Sequence, residues 1–324
     1  MKRLYIIISF LLIVFAACQT NEVYGPSDQV TQVELNINGL QDMGDSCWYE
    51  GWVIWGDNNE NLQSIGVFQA NGNGDLSPRA FDINMGTMQQ VQKFLITIEL
   101  DDVPGYQVTA NVTADTVTYD SVAGPSEYHL MAGVFRGNTT VLNIGNLVTF
   151  ENDYASATGT YMLDTPTDSN RTNPKSGIWF VNLKSSSIPI QGLQIPEVSG
   201  GWNYNGHINI GGTVVATGKF ENPAAADDEN PYRDVTGVAY PFPGEDFLLN
   251  APDGLTFPVD LSGAEVTIYL NPPYPAGKNT PFQPIEILQA TVPGNAVSHT
   301  IYQLSNAANN VPYGTAFMSI KLYE

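Results

Sequence analysis

From Val30 onward apolar and polar positions alternate along the chain, and the alternation is broken at intervals by Gly, Pro, Asn and Asp. Val33, Leu35 and Ile37 fall on one face of such a stretch, as do Tyr49, Gly51, Val53 and Trp55, and then Phe94, Ile96, Ile98 and Leu100. A period of two is that of a strand with one face buried. No stretch beyond the first 17 residues holds a helical period over several turns. The pattern therefore predicts an all-β chain.

The pattern also occurs twice. Tyr49 and Gly51 align with Tyr204 and Gly206, Ile65-Gly66-Val67-Phe68 with Thr217-Gly218-Lys219-Phe220, and Ile96-Thr97-Ile98 with Val266-Thr267-Ile268. Leu130-Met131-Ala132 then meets Leu288-Gln289-Ala290. One unit of roughly 130 to 150 residues is duplicated with small insertions, and a unit of that size buries enough surface to fold without a disulfide or metal. The expected organisation is two tandem antiparallel β-sandwich domains, residues 30–163 and 178–324. Asp164 to Gly177, with two prolines and no aliphatic residue, is read as the linker between them. Gly159-Thr160-Tyr161-Met162-Leu163 and Gly314-Thr315-Ala316-Phe317-Met318-Ser319-Ile320 read as matching last strands of the two repeats.

The second faces of the aligned strands differ. Trp48, Glu50, Trp52 and Ile54 in the first repeat stand where the second has Asn203, Asn205, His207 and Asn209. An aromatic outer face requires either a cover or a ligand. Trp48 and Trp52, about 13 Å apart along the strand, with Glu50 between them to accept a hydrogen bond, are the candidate ligand platform. Packing of another segment over the two rings is the competing expectation.

Ahead of the repeats, Lys2-Arg3, the apolar run Leu4 to Phe15 and Ala16-Ala17 precede Cys18. This resembles a bacterial lipoprotein signal, which implies removal of residues 1–17 and lipidation of Cys18. Residues 18–29 then form a tether, which keeps the first domain near a membrane of the cell envelope. The apolar run is too short to span a bilayer. With Cys18 acylated, Cys47 has no partner for a disulfide and, standing where the second repeat has Trp202, reads as apolar packing. Removing residues 1–17 takes away two of the 12 basic residues and none of the 33 acidic ones. So acidic a surface repels nucleic acid and anionic lipid, which leaves the lipid anchor as the route to the membrane.

Tyr49-Glu50-Gly51-Trp52-Val53, Ile65-Gly66-Val67-Phe68, Thr97-Ile98-Glu99 and His129-Leu130-Met131-Ala132-Gly133 resemble the C-terminal domain of anti-sigma-K factors. The resemblance extends to tandem-repeat envelope lipoproteins and implies an extracytoplasmic β-sandwich. Sigma-factor binding does not carry over, because that family holds it in a cytoplasmic N-terminal domain that precedes a transmembrane helix.

Candidate chemistry is sparse. The three histidines, His129, His207 and His299, lie far apart, and neither a Gly-x-Ser-x-Gly nor a His-Glu-x-x-His motif is present. No enzyme activity and no cofactor is expected. Asn71-Gly72-Asn73-Gly74-Asp75 lacks the ligand spacing of a calcium loop and reads as a hairpin turn. Between Glu221 and Asp260 the second repeat carries an insertion with nine acids and one base, which reads as a solvated loop. Asp227, Asp228 and Glu229 are its calcium candidates. Two function classes remain: a lipid-anchored envelope module that binds a glycan or a protein without catalysis, and a structural or assembly lipoprotein with no soluble ligand. A sensor-type domain similar to the extracytoplasmic part of anti-sigma factors is a further alternative.

Overall fold

The computed structural model describes residues 29–44, 47–56, 61–83, 91–100, 108–112, 117–121, 125, 128–145, 154–184, 188–198, 201–272 and 284–322. Residues 1–28, with Cys18 and the segments read above as signal and tether, lie outside them. The strands in chain order are β1 (Gln29–Asn38), β2 (Cys47–Trp55), β3 (Asn61–Ala70), β4 (Leu76–Ser77), β5 (Ala80–Ile83), β6 (Lys93–Leu100), β7 (Val108–Val112), β8 (Val117–Ser121), β9 (His129–Arg136), β10 (Thr139–Ile144) and β11 (Thr158–Leu163). They continue as β12 (Gly177–Trp179), β13 (Val181–Lys184), β14 (Ile188–Gln191), β15 (Leu193–Gln194), β16 (Asn203–Ile210), β17 (Thr213–Phe220), β18 (Gly244–Asp246), β19 (Glu265–Asn271), β20 (Ile285–Thr291), β21 (Ile301–Asn306) and β22 (Tyr313–Leu322).

The protein is all-β, with two large antiparallel sheets, each forming a sandwich-like unit. The first sheet runs β4-β3-β2-β6-β9-β10-β22-β1-β5 and the second β17-β16-β19-β20-β21-β11-β12-β18. Each sheet curls until its ends approach, β3 meeting β5 and β17 meeting β18. The concave faces hold the residues that the alternation placed inward: Tyr49, Val53, Phe94, Ile96 and Ile98 in one unit, Tyr204, Ile208, Val266, Ile268 and Leu270 in the other.

Local details repeat along with the strands. Tyr49 stacks on Phe68 at 5.6 Å and Tyr204 lies against Phe220 at 5.4 Å, with nearly the same angle between the rings. Each hydroxyl donates to a carbonyl eight residues upstream, Tyr49 to Gln41 at 2.9 Å and Tyr204 to Pro196 at 2.8 Å. Gly66 and Gly218 sit at matching bulges with φ of 116° and 121°, a conformation in which a side chain is strained. The hairpin at Asn71 is closed by its own side chain, whose Oδ1 accepts from the amides of Asn73 and Asp75.

The two sheets occupy the same slots in the same order with one exchange. β11 follows β10 in the chain, yet it sits in the second sheet between β21 and β12, while β22 crosses back to lie between β10 and β1 in the first. The exchange keeps the register: Gly159 faces Leu304 in one sheet and Gly314 faces Leu142 in the other. The boundaries 30–163 and 178–324 are thereby corrected, since the first unit includes Tyr313–Leu322 and the second includes Thr158–Leu163.

The linker reading of 164–177 is corrected for the same reason. The segment joins β11 to β12, adjacent strands of one sheet, so it packs onto that unit. Asp164, Thr165, Thr167 and Ser176 are buried. A further contact ties the units together, the Trp202 indole donating to the His129 carbonyl at 2.6 Å. Within the second unit the Asn306 amide, where the β11–β21 pairing continues, donates to the carbonyls of Tyr154 and Ala157 at 2.9 and 3.0 Å. The Tyr204 proton goes to Pro196, so Tyr154 is the donor in the 3.1 Å contact between the two hydroxyls.

A protease site placed in the exposed turn Ser169–Asn173 and cut after folding is expected to yield two fragments that co-elute under native conditions and part only in denaturant. Each fragment carries a strand of the other's sheet. Two folded halves eluting separately would contradict the exchange.

Candidate functional site

The outer face of β2 is not an open platform. Glu50 is 0% exposed and Trp52 3% exposed, and Trp48 is half-buried. Trp52 packs with Ile54, Leu95 and Ala132 in a second apolar cluster behind the sheet. Its indole donates to Thr97 Oγ1 at 3.0 Å, and Thr97 in turn donates to the buried Glu99 carboxylate. Glu50 Oε1 accepts from Ser64 Oγ at 2.5 Å. The ligand reading of Trp48, Glu50 and Trp52 therefore gives way to the covered one, because two of the three have no accessible surface to offer. The hairpin β7–β8, from the long connection between β6 and β9, packs against β3 in this unit.

The insertion is a solvated loop only in part: Glu221, Asp228, Glu229, Asp253 and Asp260 are exposed, while Glu245 and Asp246 are buried and the Asp227 side chain is covered. Asp227 accepts from Arg233 Nη2 and from the Gly244 amide, both at 2.8 Å, and Asp228 accepts from the Lys219 amide at 2.7 Å. Arg233 reaches Glu245 with Nε at 2.9 Å and lies over the Trp179 ring at 4.9 Å. Asp246 accepts from the Trp179 indole at 2.6 Å and from the amide and hydroxyl of Thr167 at 2.8 and 2.5 Å. Asp227 and Asp228 thus serve as acceptors for protein donors, and Glu229 stays exposed. Among the described residues no group of three or more His, Cys, Asp or Glu is placed to share a metal ion.

One guanidinium cannot neutralise two buried carboxylates. Burial pushes Glu245 up to about 8, ahead of the opposing pull of Arg233, and lifts Asp227 and Asp246 to about 6. Glu245 Oε2 is buried without a hydrogen-bond partner among the described residues, which fits a carboxyl that keeps its proton. Beside this network Asp164 binds Tyr240 at 2.5 Å, Arg171 at 3.2 Å and His299 at 3.0 Å. Arg171 and His299 both adopt positive φ to reach it. These bonds fasten the β11–β12 connection to the insertion and to the β20–β21 loop. Sequence spacing held no sign of them, since the partners lie up to 135 positions apart.

An accessible polar surface is the outer face of the second sheet, where β16, β19, β20 and β21 line a groove of about 550 Å³. Ladder register arranges it in rows: His207, Thr267, Gln289 and Ser305 in one, Asn205, Tyr269 and Glu286 in the next, Asn209, Glu265 and Thr291 in a third. Neighbouring strands are about 4.8 Å apart, so each row sets hydrogen-bonding groups at that interval. The His207 and Tyr269 rings meet at 4.9 Å. Tyr269 donates to Glu286 Oε1 at 3.2 Å and Asn209 to Glu265 Oε2 at 2.9 Å, which orients both carboxylates along the face.

Desolvation lowers the pKa of His207 and so keeps the ring neutral near pH 7, while burial and the nearby Glu286 raise Tyr269. Past Tyr269 and Glu286 the surface continues into a second hollow of about 650 Å³, reached by Gln41 and Asn73 of the first unit. The repeat comparison had already marked Asn203, Asn205, His207 and Asn209 as a polar face. It missed Glu265, Glu286 and Gln289, which alternation alone assigns to solvent.

These environments set different costs for the two outer faces. Trp52→Ala should cost about 3 to 5 kcal/mol in denaturant unfolding, whereas His207→Ala should cost about 1 kcal/mol; equal effects would mean that the two faces are alike. A further expectation concerns pH. Asp227, Glu245 and Asp246 have folded pKa values raised above their unfolded ones, so their stabilisation is complete below the unfolded values and is lost as pH rises through about 6 and then about 8. Melting temperature should fall over that range, and Glu245→Gln should flatten the upper part. A melting temperature that climbs steadily instead would contradict the raised values.

No family model and no curated protein matches the chain. Among solved structures, the two tandem C2 domains of extended synaptotagmin 2 align over 99% of this chain and 100% of that one at 10% identity, with a TM-score of 0.16. A score that low carries no argument about fold or function.

Proposed function

We propose that this protein is a lipid-anchored, non-catalytic binding module of the cell envelope, and that its ligand is a carbohydrate laid across the outer face of the second sheet. The single observation that carries the reading is the contrast between equivalent faces. The first repeat fills its outer face with Trp52, Ile54, Leu95 and Ala132, whereas the second leaves an accessible groove lined by His207, Thr267, Tyr269, Gln289 and two carboxylates. Rows of hydroxyl, amide and carboxylate groups around a ring pair suit a ligand that is rich in hydroxyls and has one flat apolar face. The fit of such a face to sugars rests on that chemistry alone. The Lys2 to Cys18 segment supports an anchor at the N-terminus, which would hold the module at a membrane without placing charge in it.

An oligosaccharide array probed with the full-length chain in detergent tests the reading. Binding to a limited set of sugars is expected, with a loss of about tenfold or more, some 1.4 kcal/mol, in the double variant His207→Ala, Tyr269→Ala. The melting temperature of that variant should fall by only about a few degrees, so that the protein remains folded at the assay temperature. A chain that binds no sugar, or a variant that binds as well as the parent, would overturn it. In the first case a structural or assembly role becomes the better account.

A further inference from the structure

The groove carries information about the sign of its ligand as well as its polarity. Glu265 and Glu286 line it, and no Lys or Arg is among the described residues that do. His207 adds no positive charge near neutral pH, because burial lowers its pKa. Each carboxylate is held in place by one neutral donor, Asn209 for Glu265 and Tyr269 for Glu286, which leaves acceptor capacity on both for a ligand. Asn205 stands in register with Tyr269 but does not line the groove, and its buried Oδ1 is not offered to a ligand there. Thus one row sets the Tyr269 ring beside the Glu286 carboxylate, with the exposed Lys219 at its β17 end beyond Asn205, and a second carboxylate lies on the far side of the His207 row.

This arrangement disfavours an anionic sugar, which would face two carboxylates in a lining that holds no cation, the Lys219 of the Asn205 row lying beyond it. A protonated amine meets the opposite situation. It donates up to three hydrogen bonds, pairs with a carboxylate, and is attracted by the face of a neighbouring aromatic ring. The chain as a whole has a formal charge of −21, so the long-range field draws cations toward the groove as well.

We infer that the ligand of the second-sheet groove is a carbohydrate bearing free amino groups, with the amines placed at Glu265 and Glu286 and the sugar hydroxyls along the His207, Thr267 and Gln289 row. The inference rests on the carbohydrate reading of this face and adds the charge of the ligand. A basic peptide would satisfy the two carboxylates but leave most of the hydroxyl and amide groups of the rows without partners. A neutral sugar would satisfy the rows but gain nothing from the carboxylates.

The test uses the full-length chain in detergent and three probes titrated calorimetrically at mildly acidic pH: a glucosamine tetramer, the same tetramer fully N-acetylated, and tetralysine. The glucosamine tetramer is expected to bind at least about tenfold more tightly than either of the others. Its affinity should fall about tenfold or more in Glu265→Gln, Glu286→Gln, and should weaken as salt is raised. That double substitution preserves shape, and an unchanged melting temperature would show that the fold is intact.

Equal binding of the acetylated tetramer, abolished by Tyr269→Ala, would overturn the inference about charge while leaving the carbohydrate reading standing. Equal binding of tetralysine would show that the groove takes any cation, and would overturn the assignment to a sugar. Binding of glucosamine that is indifferent to the Gln variants would remove the carboxylates from the site and overturn the inference as well. No binding of either tetramer would overturn it outright, and the array described above then decides whether the carbohydrate reading falls with it.

Discussion

β22 fills the gap between β10 and β1 over the whole length of β1, from Gln29 opposite Leu322 to Asn38 opposite Tyr313. Without it the first sheet would present two open strand edges, each a row of backbone groups that must find a partner. β11 does the same for the second sheet, between β21 and β12. Because each of these strands comes from the other repeat, neither sheet can be completed by its own half of the chain in this arrangement. The exchange joins the two units by main-chain ladders, which are far stronger in aggregate than the side-chain contacts of an ordinary domain interface.

Much of the remaining architecture follows. Once β11 lies next to β12, the residues between them form a connection within one sheet and must pack against it. That segment is rich in polar groups, so burial favours matching them, although Thr165 Oγ1 has no hydrogen-bond partner among the described residues. Asp164 meets Tyr240, Arg171 and His299, while Thr167 meets Asp246. The insertion between β17 and β19 closes over the same place and brings Arg233 with its two carboxylates. The bonds of Asp164 and Thr167 belong to this connection, whereas Asp227, Arg233 and Glu245 pair within the insertion, over Trp179 of β12.

The two repeats then diverge where their shared scaffold left freedom. An identical inward face is imposed by the core, with Tyr49 and Tyr204 bonded and stacked alike. The outward face is under no such constraint. In one unit it became a second apolar cluster with a buried chain of Trp52, Thr97 and Glu99; in the other it stayed polar and accessible. The position of Glu99 is held by Tyr269 in the second unit, so one site on the scaffold provides a buried acid in one copy and a ring lining an accessible groove in the other.

Alternation and self-similarity were sufficient to place the inward residues, to pair the repeats, and to mark Gly66 and Gly218 as equivalent, because the period of a strand and the demand for positive φ are local properties. They could not say which copy of the last strand enters which sheet. Gly159 to Leu163 and Gly314 to Met318 carry the same pattern and fit the same slot, so a local rule cannot separate them, and only the path of the chain between slots does. Burial of the outward face escaped for a related reason. Glu50, between Trp48 and Trp52, has the alternation of a solvent-facing residue, and whether anything covers it depends on segments distant in sequence. The cation-seeking groove was half visible, through the asparagines and His207 of one strand. Its carboxylates come from β19 and β20, and only the ladder register sets them beside those residues.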